Sequence, residues 1–206
     1  NGKRMDQSGW YVLHDDGDVP AGAFGCWRSG LSQTWCSKDT QAMTQAERSA
    51  HQQRMQAIAQ QREADKAQRQ HDAATAAAQR WEAAEPAPAD HPYLAKKGVH
   101  AHGTRVESDG FLIVPMRDTN GKLWNFERIN PANFKDKKGL LGGRGTGLYY
   151  SSGKPKGVLI VCEGFATGAS IHEATGDAVA VAFNAGNLRE VAQALHSKYP
   201  RLRLIL

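Results

Sequence analysis

From Leu31 to Glu85 the chain contains no glycine and no proline. These are the two residues that most readily break helices and form turns, so a run of this length is constrained to be mostly one regular element. Ala, Gln, Arg and Glu dominate it, all compatible with a helix, and Thr44-x-x-Glu47 has the form of a capping box. Large apolar residues are sparse: Met43, Met55, Ile58 and Trp81. Six basic and six acidic residues cancel within 40–85. The pattern predicts a long, mostly solvated helix, a spacer rather than a core element. Pro86-Ala87-Pro88 ends it and starts a stiff linker, so spacer and linker together take residues 40–90.

On the N-terminal side, residues 1–39 are rich in glycine and aromatics. Trp10–His14 and Ala23–Trp27 read as strands joined by the turn chemistry of Asp15-Asp16-Gly17-Asp18, with a third strand at Ser32–Trp35. A small antiparallel sheet is expected here. Beyond the linker, residues 91–157 form a second β-rich zone. Phe111–Met116 and Leu123–Ile129 flank the turn Asp118-Thr119-Asn120-Gly121 and predict a hairpin, and a glycine-rich stretch runs from Gly139 to Gly147.

Residues 158–206 change pattern again. Val158–Cys162 and Ala178–Phe183 are continuous apolar runs, each followed by a helical pattern, Phe165–Ala174 and Leu188–Lys198. Leu202–Leu206 begins a third strand. Strands apolar on both faces that alternate with helices predict a parallel sheet covered on both sides. The expected fold is thus α+β at the N-terminus, with a small antiparallel sheet and a long solvated helix, then a basic β-rich subdomain leading into an α/β sheet. The chain starts at Asn1 and its last residues fall inside a sheet, so it reads as a segment of something longer.

Charge is concentrated. The net charge is +5, but residues 91–157 hold twelve Lys and Arg against five Asp and Glu, a net of +7. No apolar run approaches the roughly 18 residues of a membrane helix, and no leader pattern follows Asn1. Cys26, Cys36 and Cys162 are odd in number and contain no Cys-x-x-Cys, which argues against disulfides and a zinc knuckle and fits a reducing cytoplasm. His100 and His102 flank Ala101 in a loop and read as exposed polar residues in preference to a metal pair. Gly147–Lys154 is not a P-loop: its glycines are one residue too far apart, and Pro155 stands where Ser or Thr would hold magnesium.

In open α/β sheets, ligands bind at the carboxyl ends of the strands. Glu163 and Gly164 directly follow the first strand of the last zone, and Asn184, Gly186 and Asn187 follow the second. A carboxylate near a helix N-terminus is also favourable without any catalysis, so position alone leaves both readings open.

Here the residues resemble a known family. Val161–Ile171, containing Glu163-Gly164-Phe165-Ala166-Thr167, is similar to the first motif of TOPRIM domains in phage- and plasmid-type DNA primases. Ala174-Thr175-Gly176 and Val181–Leu188 are similar to the segment that follows it. His91-Pro92-Tyr93-Leu94, Val114–Asp118 and Leu141–Arg144 resemble the basic subdomain that precedes the sheet, and Gly9–His14 with Phe24-Gly25-x-Trp27 resembles the region before that. The resemblance implies a nucleotidyltransferase that makes RNA primers on single-stranded DNA from ribonucleoside triphosphates with Mg²⁺ (or Mn²⁺), with a replicative helicase as a candidate partner and no membrane partner. It implies that Glu163 is the catalytic acid/base or a metal-associated group, the remaining metal ligands being an Asp-x-Asp expected after the third strand. Template binding falls to Arg117, Arg128, Lys135, Lys137, Lys138 and Arg144, with Trp124, Phe126 and Phe134 as stacking surfaces. A non-catalytic single-stranded DNA-binding or helicase-loading module, and a TOPRIM-type nuclease or topoisomerase piece, are the alternatives.

Overall fold

The computed structural model describes residues 8–15, 19–39 and 43–206. Most of the predicted turn at 15–18, and residues 40–42 of the expected helix start, lie outside this set. The chain divides into two compact units, residues 1–63 and 64–206.

The first unit holds the antiparallel sheet β1 (Gly9–His14), β2 (Ala21–Cys26) and β3 (Leu31–Cys36), in that order. Trp10 lies over Gly25, where an added Cβ would come within 2.3 Å of the Leu31 carbonyl oxygen and 2.7 Å of the indole, so the neighbouring backbone and the ring both require glycine there. Opposite pairs are Cys26 with Leu31 and Ala21 with Cys36. Because side chains alternate along a strand, this register puts Cys26 and Cys36 on opposite faces, where they cannot share an ion. Cys26 is nevertheless chemically distinctive. The Ser29 N–H and the Ser8 hydroxyl stabilise its thiolate and lower its pKa to about 7. Cys162 is the reverse case, its thiol pushed up to about 11 by burial. At pH 7.5, iodoacetamide is therefore expected to label Cys26 well before Cys162, a difference that peptide mass spectrometry reads directly.

Helix α1 (Gln45–Ala83) follows, and the capping box is formed. Thr44 N–H and its hydroxyl both donate to Glu47 Oε2 (2.7 and 2.9 Å), and Glu47 N–H returns a bond to Thr44 Oγ1 at 3.3 Å. The helix is solvated over most of its length, as its composition predicts. Its last third is different: Ala73, Ala74, Ala77 and Trp81 are buried. The small alanines let the helix approach closely, and the single Trp fills the remaining space, so few large apolar residues are needed to make this end core.

The second unit builds two sheets. In the first, β4 (Glu85–Pro86), β5 (Arg105–Val106), β6 (Leu112–Arg117), β7 (Leu123–Ile129) and β8 (Lys137–Lys138) pair in sequence order. The hairpin β6–β7 turns at Asp118. Its carboxylate accepts from Asn120 N–H and Lys122 N–H (2.9 and 3.0 Å), and Gly121 supplies the positive φ of 84°. A short helix α2 (Pro92–Lys97) lies between β4 and β5.

The second sheet contains β9 (Tyr150–Ser152), β10 (Val158–Cys162), β11 (Ala178–Val181) and β12 (Arg203–Ile205), in the order β12-β10-β11-β9. Helix α3 (Phe165–Thr175) joins β10 to β11, and α4 (Leu188–Lys198) joins β11 to β12. β10 pairs with β11 and β12 in parallel, but β9 pairs with β11 antiparallel. The wholly parallel sheet expected from the sequence is therefore mixed. Tyr150-Ser151-Ser152 is too short and polar to announce itself as its edge strand. Gly168 of α3 faces the sheet so closely that a Cβ would come within 2.7 Å of Val181. One buried cluster joins Tyr93, Leu94, Leu112, Val114 and Ile129 to Tyr150, Phe165, Ala169, Val179 and Val181, so residues on both sides of position 158 share a core.

Candidate functional site

The parallel strands bring their carboxyl ends together as topology requires. Glu163 follows β10 with its side chain exposed, and Gly164 caps α3 in an extended conformation. The Phe183 N–H donates to the Glu163 carbonyl at 2.8 Å, which fixes the end of β11 beside it. Phe183 holds φ at 71°, a left-handed conformation that costs an aromatic residue roughly 1–2 kcal/mol. Asn184, exposed, then caps the short 3₁₀ turn Ala185–Asn187, its side chain accepting from Asn187 N–H at 3.0 Å, and Gly186 is exposed in that turn.

Asn187 does not face the open edge. It is 4% exposed, its Oδ1 accepts from Gly147 N–H at 2.7 Å, and its Nδ2 is shared by the carbonyls of Ala182, Leu148 and Gly145 (2.9, 3.0 and 3.3 Å). From the other side, buried Asn125 of β7 accepts from Leu140 N–H at 2.9 Å and donates to the Arg144 carbonyl at 3.1 Å. Two buried amides thus pin the glycine-rich segment. The sequence signal for this is only two asparagines inside apolar patterns.

That segment carries Arg144. Its guanidinium lies over Trp124, 5.2 Å from the ring centroid, and Lys122 Nζ lies 3.9 Å from the same ring. Trp124 Nε1 donates to Asp118 at 2.8 Å, which fixes the indole against which both cations rest. The Trp124 hydrogen bond and the Lys122 and Asn120 N–H groups hold the Asp118 carboxyl below its usual range against its partial burial. A cleft of about 350 Å³ beside Arg144 is lined by Asp118, Gly147, Glu190 and Gln193. Arg117 lines a second cleft of about 350 Å³ with Trp81, Tyr149 and Lys198, its Nη1 donating to Gly121 O at 2.9 Å.

The other template candidates are differently placed. Arg128 bonds Glu107 at 2.6 Å and also pairs with Asp109. Lys138 pairs with Asp136 at 2.8 Å. Lys137 Nζ lies 3.5 Å from Glu127, whose carboxyl burial pushes upward, and 3.3 Å from the Tyr93 hydroxyl. Lys135 is exposed. Among the stacking candidates Phe126 is wholly buried, so it cannot offer a face to a base, and Phe134 packs edge-on against Tyr93 at 5.4 Å. Trp124 remains, half-buried and in contact with two cations.

A carboxylate is the donor type that hard cations prefer, but Mg²⁺ takes several oxygens. Among the described residues, no group of three or more His, Cys, Asp or Glu side chains includes Glu163. The residues present do not by themselves make a Mg²⁺ site.

Residues 158–206 match the family model of the Toprim domain. The chain is also 34% identical to a DNA primase TraC of Escherichia coli over 209 residues, 96% of this chain and 19% of that protein. The chain resembles TOPRIM-type primases. A second Escherichia coli DNA primase TraC is 34% identical over 217 residues, covering all of this chain and 14% of that protein. The chain thus spans less than a fifth of the length of these primases. No solved structure matches it. In the Toprim segment, β10, α3 and β11 carry the residues whose pattern resembles the family motif. Among the described residues, no helix is long and apolar enough to cross a membrane.

Proposed function

We propose that the chain contributes to synthesis of RNA primers on single-stranded DNA during phage or plasmid replication. In this reading Glu163 accepts the proton of the attacking 3′-hydroxyl, or takes part with further groups in holding Mg²⁺ (or Mn²⁺). The observation that carries the reading is the exposed carboxylate at the carboxyl end of β10, inside the segment matching the Toprim model. The similarity to DNA primases across 96% of the chain supports it. Ribonucleoside triphosphates are the substrates and a replicative helicase is the expected partner.

The test is primer synthesis from labelled ribonucleotides on a single-stranded template, by the protein that carries this sequence. Glu163→Gln is expected to lower the rate at least about 100-fold, the usual scale for losing a general base. Synthesis at the original rate would remove Glu163 from the chemistry.

The second reading is a single-stranded DNA-binding or helicase-loading module without its own catalysis. Glu163 belongs to no group of three potential metal ligands among the described residues, which is compatible with this reading. Both readings need template binding, and the ion pairs rank the basic residues for that task. Each phosphate contact on single strands contributes about 0.7 to the slope of log affinity against log salt. Arg144→Ala is expected to weaken binding and reduce that slope by about 0.7. Arg128→Ala is expected to leave the slope alone and lower the thermal midpoint, since its guanidinium is engaged by Glu107 and Asp109. Fluorescence anisotropy across a salt series separates the two outcomes.

A further inference from the structure

At the other end of α3 from Glu163, three potential metal ligands converge. His100 and His102 come from the loop between α2 and β5, and Glu173 from the last turns of α3. Their donor atoms, one each, all lie within 4.8 Å of one another. His102 Nε2 is 2.5 Å from Glu173 Oε1, and His100 Nδ1 is 3.2 Å from the same oxygen. Ligands bound to zinc at about 2.0–2.1 Å in a tetrahedron stand roughly 3.3 Å apart. The His100–Glu173 edge already has that length, while the His102–Glu173 contact is a direct hydrogen bond that an ion would replace, opening that edge by about 0.8 Å.

The cluster is also built to hold its shape. The His100 N–H donates to Glu173 Oε1 at 2.8 Å, so the carboxylate is aimed at the loop by the backbone as well as by the rings. The Tyr150 hydroxyl donates to the His102 carbonyl at 2.6 Å. His102 sits at φ 46°, a left-handed conformation rare for a residue with a side chain. Its ring is packed edge-on by His172, centroids 5.3 Å apart, and the His172 Nδ1 is held by the Asp177 carbonyl at 2.7 Å. Exposure grades across the three side chains, from 18% for His102 and 25% for Glu173 to 80% for His100. One side is thus anchored and the other open to water, which could complete the coordination.

We propose that His100, His102 and Glu173 form a binding site for a borderline divalent transition-metal cation such as Zn²⁺. Two imidazoles and one carboxylate suit such an ion and are a poor match for Mg²⁺, which prefers an all-oxygen shell. The site lies about 15 Å from Glu163 at 1.5 Å per helical residue. It fastens the loop before β5 to α3, a fastening role independent of the primer-synthesis reading.

The experiment titrates the metal-free 206-residue chain with Zn²⁺ against a chromophoric chelator, and with Co²⁺ followed by visible absorption. One equivalent is expected to bind, and millimolar Mg²⁺ is expected not to displace it. His100 is the most exposed ligand, so His100→Ala tests the site with least risk to the fold. It is expected to weaken Zn²⁺ binding at least tenfold and to abolish the rise in thermal midpoint that Zn²⁺ gives the original chain. The double variant His100→Ala/His102→Ala is expected to lose the Co²⁺ absorption band. Absence of saturable binding would overturn the proposal. So would a loss smaller than tenfold for His100→Ala, or an unchanged Co²⁺ band in the double variant, which would place the ion elsewhere, the cysteines included.

Discussion

Replacing Asn187 by alanine is expected to destabilise the 64–206 unit by about 3 kcal/mol, read as a shift in the midpoint of urea unfolding. The side chain is 4% exposed and bonds one N–H and three carbonyls. A buried polar group left without its partner costs about 1–3 kcal/mol, and alanine strands several at once. Water entering the new space would recover part of the loss. Asn187→Asp is a sharper variant because it keeps the shape. It retains the acceptor for Gly147 N–H but turns a carboxylate oxygen toward the carbonyls of Ala182, Leu148 and Gly145. Burial and those carbonyls both disfavour the charged form, so its folded pKa is raised above the unfolded value. The resulting penalty is present at neutral pH and relieved as pH falls below the folded pKa. Asn187→Asp should therefore be less stable than Asn187→Ala at pH 7 and recover toward pH 5. Equal stability of both variants with the original chain would mean that the amide is not the pin of the Arg144 segment.

Phe126→Ala is expected to cost about 3–5 kcal/mol, the usual range for emptying a fully buried aromatic site. Phe126 has no exposed surface and packs with Ala77, Trp81, Ala84 and Ile113, with the Arg80 guanidinium 4.9 Å over its ring. Its neighbours belong to a helix and a hairpin, neither of which can collapse into the space without moving the other. Phe126→Leu refills most of the volume and should lose much less. If instead the ring stacked a base, the alanine variant would keep its unfolding midpoint and lose affinity for single-stranded DNA. Equilibrium unfolding and DNA anisotropy on the same variant discriminate between these outcomes.

The elements were largely legible because their signals are local. The Thr44–Glu47 box, the Asp118–Gly121 turn and the apolar runs of β10 and β11 each declare themselves within a few residues. The burial of the end of α1 was not legible, because alanine serves equally on a solvated helix and in a close packing contact. Nor was the edge strand β9, whose pairing partner β11 is remote in sequence and whose own residues are polar.

The site was legible in its motif and much less so in its electrostatics. Glu163 stands where strand order places it, but a count of charges cannot tell Arg144, resting on Trp124, from Arg128, engaged by Glu107 and Asp109. Asn187 looked like a polar group at an active edge because the sequence gives its position and not its direction. The meeting of His100 and His102 with Glu173 depends on how the loop before β5 docks onto α3, which no spacing in the sequence records.

The antiparallel strand β9 sets a limit on where this chain can be divided. The match to the Toprim model begins at residue 158, yet β11 completes its hydrogen bonding with Tyr150-Ser151-Ser152 from before that point. A piece beginning at Val158 would leave a row of unpaired N–H and C=O groups along β11, bordered by the apolar faces of a buried strand. Such a row is a template for pairing with another copy. The self-contained unit of the Toprim sheet thus begins at least as early as Tyr150, and sequence homology and cooperative folding draw their borders at different residues.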